Sequence, residues 1–350
     1  MIDLSIYGYL ETEGEPDNGT IPSRVTAVHR DRYELICKNG PVFAQLKSAV
    51  YYQRAPEPFP TVGDFVRIQY IENGDSLIVK TLPRKSLFRR LDPTPGRGEQ
   101  AVAANFDYVF ILSSLNREFK VGRLERYLTL AWQSGGTPVV VLTKKDLAKA
   151  PEEAEWTARN AAPGVDVFSI SSVTGEGLDA LAPFLLPSKT LVFLGSSGVG
   201  KFSLINALAG EELMATGNIR EADSRGRHTT THRQLLMLPS GAIVIDTPGM
   251  REIGMWDAAE GLSAAFMDVE ELASQCKFSD CTHQNEPGCA IRAAIANGSL
   301  SEERFQNYLA LRRENRYVED KMGYLREKQQ WHKEISKWSK QKKKAGGKFR

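Results

Sequence analysis

The order of two short motifs constrains the fold of this chain more than any other feature. The run from Gly195 to Lys201 reads GSSGVGK and lies between the apolar run Leu191–Leu194 and the helical run Leu204–Leu208. In that setting glycines let backbone N–H groups converge on phosphates at a helix N-terminus, and the lysine adds a positive charge. A second motif, Thr143 to Asp146, reads TKKD and comes earlier in the chain. Nucleotide hydrolases with both motifs ordinarily carry the phosphate loop first, so this order indicates a circular permutation.

The residue after the phosphate-loop lysine departs from the usual pattern. Where such loops carry serine or threonine, whose hydroxyl ligates Mg²⁺, this chain has Phe202, and a phenyl ring cannot ligate a hard cation. Ser203 carries a hydroxyl but lies about 100° further around the helix, so it is a poor substitute. Two interpretations stay open: weakened Mg²⁺-dependent hydrolysis, or a repacked site. The expected phosphate-binding residues are Gly195, Ser196, Ser197, Gly198, Val199, Gly200, Lys201, Phe202 and Ser203.

A segment after the apolar run Ile243–Ile245 has the pattern of a γ-phosphate sensor. It reads DTPG, which predicts Asp246 near Mg²⁺ and the Gly249 amide facing the γ-phosphate. Because the permuted core would end at this segment, the part of the chain that follows would respond directly to the nucleotide. Met250 takes the position of a glutamine that orients water in many such sites, so we expect another residue to position the water.

The polar run from Gly226 to Arg233, which reads GRHTTTHR, is expected to form a switch loop. One of its threonines is placed to close over Mg²⁺ and the γ-phosphate, and His228 is placed to help position the water. The alternative is a surface loop whose hydroxyls cap local backbone groups. The expected catalytic residues are His228, Thr229, Thr230, Asp246, Gly249 and Lys201.

The earlier motif has the chemistry of a guanine reader. Asp146 can accept paired hydrogen bonds from the N1 and N2 groups of guanine, which adenine lacks, and Lys144 can lie along the face of the base. The usual first residue is asparagine, so Thr143 weakens the match. Ser171 follows another apolar run, where a backbone amide contacts guanine O6. These features favour GTP over ATP, and the expected base-site residues are Thr143, Lys144, Lys145, Asp146, Ser171 and Ser172.

Three of the four cysteines lie in one short segment together with a histidine. Cys276, Cys281, His283 and Cys289 supply three thiolates and one imidazole, which is a closed tetrahedral set for structural Zn²⁺. Separate buried thiols are the alternative, and a catalytic metal is disfavoured because no ligand position is left open. Cys37 lies in a strand-like run and is expected in a core. A disulfide framework is not expected in a cytosolic chain.

Hydrophobic patterning divides the chain. Residues 21–82 alternate as about five short strands, which predicts a small β-barrel, and an OB-fold is the commonest of that size. A barrel or sandwich without a ligand is the alternative. From residue 106, apolar runs alternate with helical stretches, which indicates a parallel sheet covered on both faces. After about residue 256 the chain becomes helical and polar, and a capping-box pattern at Ser299–Glu302 opens a further helix.

We therefore expect an α/β fold: a circularly permuted phosphate-loop GTPase core, an N-terminal OB-like β-barrel and a C-terminal α-helical zinc-binding domain. The expected boundaries are 1–90 for the barrel, 91–255 for the core, 256–330 for the zinc-binding domain and 331–350 for a basic tail. Residues 83–100, rich in proline, glycine and arginine, are predicted to form a basic linker that acts as a hinge.

Composition and charge exclude several classes of protein. The chain has 350 residues, of which 41% are hydrophobic and 25% charged, the balance of a globular protein. No run approaches 18 apolar residues, and the N-terminus lacks a signal-peptide pattern, so we expect no membrane span and a cytoplasmic setting. The net charge is only +2, but the last 18 residues hold eight basic side chains against one acid, Glu334. Such a tail favours a polyanion, with a solvated end as the alternative.

In this order, these motifs resemble the ribosome small-subunit-dependent GTPase A family, also called YjeQ or YloQ. The likeness spans nearly the whole chain, from the barrel through the permuted core and its switch segments to the cysteine cluster. It implies slow GTP hydrolysis that the 30S subunit accelerates, action late in subunit maturation, and contacts of the barrel and zinc module with 16S ribosomal RNA. GTP or GDP, structural Zn²⁺ and Mg²⁺ would be bound by a monomer.

Two residues, Phe202 and Thr143, depart from the family pattern, and Phe202 puts Mg²⁺ binding and turnover in question. A different class of function therefore stays open, a nucleotide-dependent RNA-binding scaffold with little hydrolysis. A third interpretation, an ATP-driven assembly factor, requires adenine to bind at least as well as guanine.

Overall fold

The computed structural model describes residues 1–10, 19–29, 32–52, 58–91, 99–115, 119–213, 234–246 and 258–317. Thirteen strands are described in these ranges, eleven of which form one sheet, with helices packed around it. None of the described helices is both long enough and apolar enough to cross a bilayer.

The first five strands form a closed barrel, as the alternating pattern predicts. They are β1 (Ile21–Val28), β2 (Tyr33–Cys37), β3 (Gly40–Leu46), β4 (Phe65–Gln69) and β5 (Ser76–Thr81), with a short helix α1 (Ser48–Tyr51) between β3 and β4. The hydrogen-bonded order is β1-β2-β3-β5-β4, and β4 pairs back onto β1. Alternate side chains, including Val25, Leu35 and Ile68, fill the barrel, and Cys37 is buried among them. The interior is thus packed with apolar side chains.

The predicted linker is only partly correct. Strands β6 (Leu87–Leu91) and β7 (Glu99–Ala104) pair antiparallel, so residues 87–91 and 99–100 of the predicted linker belong to a β-hairpin. Phe88, on β6, is buried and stacks on Phe106 with ring centroids 4.9 Å apart. The run of prolines and glycines between the two strands indicated a linker for the whole stretch, so the strands were not predicted.

The second half of the sheet is parallel, as the apolar runs predict. Its strands are β8 (Tyr108–Ser114), β9 (Thr137–Thr143), β10 (Asp166–Ser169), β11 (Thr190–Gly195), β12 (Gln234–Met237) and β13 (Ile243–Asp246). The order is β10-β9-β8-β11-β13-β12, and only β12 runs antiparallel. Alternate residues enter two cores: Val109 and Ile111 lie in one, Phe110 and Leu112 in the other. Because β9 precedes β11 in the chain, the two nucleotide motifs occur in permuted order.

Helices cover this sheet and continue beyond it. They are α2 (Val121–Gln133), α3 (Pro151–Ala161), α4 (Lys201–Ala209), α5 (Ala259–Ala265), α6 (Met267–Ser274) and α7 (Ala290–Ala296), and residues 302–317 are also helical. The last helix was expected to open at Ser299, but Ser301 is its cap, because the Ser301 hydroxyl accepts the Arg304 N–H at 3.1 Å. Its buried residues Phe305 and Leu311 join the core that also holds α2 and α5.

The barrel and the parallel sheet are continuous, which hydrophobic patterning did not predict. Strand β12 pairs with β1 of the barrel through Gln234 and Ala27. Beside this joint, the fully buried Arg24 donates to Thr190 Oγ1 at 2.9 Å and to the Asn105 carbonyl oxygen at 3.2 Å. The barrel is therefore anchored on the nucleotide-binding core by backbone pairing and by one buried cation.

Candidate nucleotide and metal sites

The phosphate loop lies at the carboxyl end of the parallel sheet, between β11 and α4. Gly198 and Gly200 have φ values of 74° and 98°, a left-handed conformation that residues with a Cβ rarely adopt. A Cβ on Gly195 would lie 2.9 Å from the Leu112 carbonyl oxygen, so the strand end leaves no room for one. The glycines thus turn the chain tightly into the N-terminus of α4, where backbone N–H groups can bind a phosphate.

Lys201, the first residue of α4, joins the loop to the end of β13. Its Nζ donates to Asp246 Oδ1 at 2.6 Å, and the Asp246 side chain is fully buried. The other carboxylate oxygen, Oδ2, is buried and has no hydrogen-bond partner among the described residues. An unpaired buried carboxylate oxygen is costly, so Oδ2 is the atom of this pair that is suited to a cation or an ordered water.

Phe202 supplies no ligand for a metal ion. Its side chain packs against the apolar core that contains Phe193 and Leu204, and Lys201 Nζ lies 4.8 Å from its ring centroid. The ring supplies no oxygen, and Asp246 Oδ2 is a buried carboxylate oxygen without a hydrogen-bond partner among the described residues. The described residues therefore do not fit the usual Mg²⁺ site of a phosphate loop, in which a hydroxyl follows the lysine.

The predicted guanine reader lies at the ends of β9 and β10. Asp146 Oδ1 accepts a hydrogen bond from the Ser171 hydroxyl at 2.6 Å, and Ser171 is fully buried. The backbone N–H groups of Val173 and Thr174 donate to the same hydroxyl, so it is held from two directions. These contacts orient the Asp146 carboxylate, as reading a base edge requires.

The two lysines of the motif differ. Lys144 adopts a left-handed conformation with φ of 61° between β9 and a single 3₁₀ turn, Lys145–Leu147. Lys145 Nζ pairs with Glu176 at 2.7 Å, and the hydrogen bond to Glu176 raises the pKa of Lys145. The charge of Lys145 is therefore already paired, whereas the strained turn at Lys144 sets the direction in which the motif leaves the sheet.

A single hydroxyl connects the guanine reader to the phosphate loop. Thr143 Oγ1 donates to the Val199 carbonyl oxygen at 2.6 Å, and Thr143 is 1% exposed. The residue that weakens the motif match in sequence is thus the one that joins the two loops. Sequence analysis missed this role, because Thr143 at the end of β9 and Val199 in the phosphate loop are far apart in the chain.

Some predicted site residues lie outside the described part of the chain. They are His228, Thr229, Thr230 and Gly249 of the switch segments, together with Met250 and the basic tail over 331–350. The described residues of the nucleotide site come from the ends of β9, β10, β11 and β13. Parallel strands bring such ends to one edge of a sheet, where ligands of these folds bind.

The cysteine–histidine cluster can hold a metal ion. One ligand atom from each of Cys276, Cys281, His283 and Cys289 lies within 4.8 Å of the others. The Cys276 and Cys289 sulfurs lie 3.5 and 3.6 Å from His283 Nδ1. Burial lowers the pKa of His283, which favours the neutral imidazole that binds metals. Three sulfurs and a nitrogen around one point are the donor set of a closed zinc site.

Glu286 shapes the loop that carries these ligands, and sequence analysis missed it. Its carboxylate accepts the backbone N–H groups of Thr282, Gln284 and Asn285 at 2.9 to 3.0 Å, as well as the Thr282 hydroxyl. The Thr282 hydroxyl and these amides lower the pKa of Glu286 to about 2. Arg292 Nε donates to the His283 carbonyl oxygen at 2.9 Å from α7. These contacts hold the loop in a ligand-binding conformation.

Comparison with known proteins agrees with this geometry. The family model described as RsgA GTPase matches residues 81–256. Small ribosomal subunit biogenesis GTPase RsgA 1 of Listeria innocua is 47% identical over 294 residues, which cover 84% of this chain and 83% of that protein. The crystal structure of YjeQ from Thermotoga maritima has a TM-score of 0.62 and 27% identity, covering 83% of this chain and 97% of that one.

A second solved structure carries the same permutation. YloQ, described as a circularly permuted GTPase, is similar in fold with a TM-score of 0.56 and 23% identity, covering 88% of this chain and 99% of its own. The family match covers half of the chain, and the 47% identical relative covers most of it. The chain therefore belongs to the RsgA GTPase family, with a circularly permuted nucleotide-binding core.

Proposed function

We propose that this chain hydrolyses GTP as a biogenesis factor of the small ribosomal subunit, that it binds the 30S subunit late in maturation, and that its turnover is faster there. Family membership and the name of the 47% identical relative support this activity. The observation that carries the proposal is the hydrogen bond from Thr143 to the Val199 carbonyl, because it joins a guanine-reading loop and a phosphate loop into one site.

The residue roles follow from the chemistry of the site. Asp146, oriented by Ser171, reads guanine, with Lys144, Lys145 and Ser172 beside it. The loop from Gly195 to Ser203 binds the phosphates, and Lys201 neutralises them while it pairs with Asp246. His228, Thr229, Thr230 and Gly249 are assigned to switching and to positioning the water from the motif order alone. Asp246 keeps a carboxylate oxygen without a hydrogen-bond partner among the described residues, but position 202 offers no hydroxyl for the usual Mg²⁺ site, so we assign no step to the metal.

The other parts of the chain would bind the ribosome. The barrel, assigned to residues 1–90, exposes Phe43 with Arg32 stacked 4.0 Å from its ring centroid, and it also exposes Tyr52 and Phe59. Aromatic and arginine side chains on a barrel suit stacking with unpaired bases of 16S ribosomal RNA. In this proposal the rest of the chain comprises the nucleotide-binding core over 91–255, the Zn²⁺-binding domain over 256–330 and the basic tail over 331–350. We expect a monomer in the cytoplasm, where ribosomal subunits are assembled.

Phosphate release measured with purified ribosomal subunits tests the proposal. The chain should release phosphate from GTP slowly alone and faster with 30S subunits, whereas 50S subunits and ATP serve as matched controls. Guanine nucleotide binding without stimulated turnover would contradict the enzyme and support a nucleotide-dependent RNA-binding scaffold. Turnover of ATP at or above that of GTP would contradict the base assignment, because Asp146 pairs with donor groups that adenine lacks.

A further inference from the structure

The position after Lys201 is filled by a half-buried aromatic residue that packs against the core. The ring of Phe202 packs against the same apolar cluster as Phe193 and Leu204, which are at most 2% exposed. A serine there would place a short polar side chain at this point and lose the ring's apolar contacts. At the first turn of α4, the phenylalanine therefore makes apolar contacts where other phosphate loops have a hydroxyl that ligates a metal ion.

The same ring and Asp246 hold the charge of Lys201 in place. Nζ lies 4.8 Å from the ring centroid and 2.6 Å from Asp246 Oδ1, and the lysine side chain is 22% exposed. An ammonium group has three donors, so it can keep the carboxylate contact and still donate to a phosphate. A cation over an aromatic face is also stabilised by the ring quadrupole. The cation beside the phosphate loop is thus supplied and oriented by the protein itself.

We propose that guanine nucleotides bind to this chain almost independently of Mg²⁺, because Phe202 removes the metal ligand and fixes Lys201 as the charge that faces the phosphates. The inference rests on the proposed function, since it concerns the same nucleotide site. It adds a property that the family membership does not supply, because the phenylalanine departs from the expected hydroxyl. Asp246, whose Oδ2 has no hydrogen-bond partner among the described residues, is retained in every variant below.

The test is the affinity for a fluorescent GDP analogue, and its dissociation rate, in Mg²⁺ and after chelation with EDTA. Affinity of the unmodified chain should change by less than about threefold on chelation. Phe202→Ser should gain a metal-dependent component of at least about tenfold, the scale on which lost metal-site contacts act. Phe202→Leu is the matched control, because it keeps an apolar side chain but lacks both the hydroxyl and the ring.

The leucine variant separates the two effects of the ring. It should stay insensitive to EDTA, and it should bind GDP about two- to fivefold more weakly in both buffers, since the contact between Lys201 and the ring is lost. The measurement on the unmodified chain decides the proposal even where a variant fails to fold. A loss of affinity of about threefold or more on chelation of the unmodified chain overturns the inference, because another group would then hold the metal.

Failure of the proposed function would give a different result from failure of this inference. If GDP and GTP bind in neither buffer while ATP does, the guanine-nucleotide assignment is wrong and this inference is overturned with it. If GDP binds in both buffers with about equal affinity, the inference is supported whatever 30S subunits do to turnover.

Discussion

Hydroxyl groups on single residues assemble the nucleotide site from separate loops. Thr143 donates to the phosphate loop, and Ser171 donates to the Asp146 carboxylate that we propose as the guanine reader. Both side chains are buried, so their hydrogen bonds compete little with water and fix the loops in one arrangement. In the proposed nucleotide site, base recognition and phosphate binding would therefore be coupled through hydrogen bonds that contact neither the base nor the phosphates.

Thr143→Val tests this coupling at the residue scale. Valine has nearly the shape of threonine, but it leaves the buried Val199 carbonyl without its donor, a loss of about 1–3 kcal/mol. We expect affinity for GDP and GTP to fall together by roughly fivefold to 150-fold, which is the same free energy expressed as a change in binding. Titration with fluorescent guanine nucleotides measures it. Thr143→Ser keeps the hydroxyl and should bind nearly as tightly as the unmodified chain; equal losses in the two variants would point to packing instead.

At the scale of elements, the C-terminal helices are attached to the core through buried charge. Arg304, on the helix over 302–317, donates to Glu125 of α2 at 2.8 Å and to Asp268 of α6 at 2.6 Å. The Arg304 and Glu125 side chains are 8% and 1% exposed. Three elements therefore meet at one guanidinium, whose planar fork suits several carboxylates at once.

Arg304→Met should destabilise the protein by about 3–5 kcal/mol, because the buried Glu125 carboxylate loses its cationic partner and keeps only the hydrogen bond from Asn307. Chemical unfolding followed by intrinsic fluorescence measures the change. The matched control is Arg126→Met, which removes the half-exposed pair with Glu314 between the same two helices and should cost about 1 kcal/mol or less. The double variant Arg304→Met with Glu125→Gln should be less destabilised than Arg304→Met alone. No difference between the two arginine variants would show that the buried pair does not hold the helices.

Metal removal acts on the element between α6 and α7. Chelation of zinc, or Cys281→Ser, should unfold residues from about 270 to 295, because metal binding and folding of a small closed site are one equilibrium. Hydrogen exchange should detect the loss there, while guanine nucleotide affinity stays unchanged. Cys37→Ala, which alters a buried thiol of the barrel, should keep its zinc. Freshly purified protein without zinc in elemental analysis would contradict the assignment.

For the whole molecule, one sheet runs from the barrel into the nucleotide-binding core. The link is the pairing of β1 with β12, and Arg24 reinforces it with hydrogen bonds to Thr190, to the Asn105 and Gly63 carbonyls and to the Tyr7 carbonyl. Burial lowers the pKa of Arg24 to about 10, so it is still charged at neutral pH. The barrel is thus held in a defined orientation on the core.

Arg24→Met should loosen this joint. Each buried acceptor left without a donor costs about 1–3 kcal/mol, so we expect a lower unfolding temperature and faster hydrogen exchange in both β1 and β12. Arg32→Met is the control, because its pair with Asp75 lies on the exposed side of the barrel. Unchanged exchange in β12 of the Arg24 variant would mean that backbone pairing alone joins the two parts.

The amino-acid sequence by itself determined the local parts of this protein. The permuted order of the motifs, the five barrel strands, the parallel strands and the four residues that could hold a metal ion all follow from patterns within short segments, where periodicity and spacing carry the information. The glycines and Lys201 of the phosphate loop were predictable for the same reason. The boundaries of elements were less predictable: Ser301 rather than Ser299 caps the last described helix, and a β-hairpin occupies part of the predicted linker.

Only the tertiary structure decided how these parts are connected. Four contacts show this: the hydrogen bond from Thr143 to Val199, the contact of the Lys201 ammonium with the Phe202 ring, the ion pair of Arg304 with Glu125, and the hydrogen bonds of Arg24 beside the pairing of β1 with β12. Each contact joins residues that are distant in sequence or depends on which way a side chain turns. Periodicity shows which face of an element is buried, but it does not name the partner that buries it. Those partners are set by the packing of the complete chain, where each buried polar group must find a donor or acceptor.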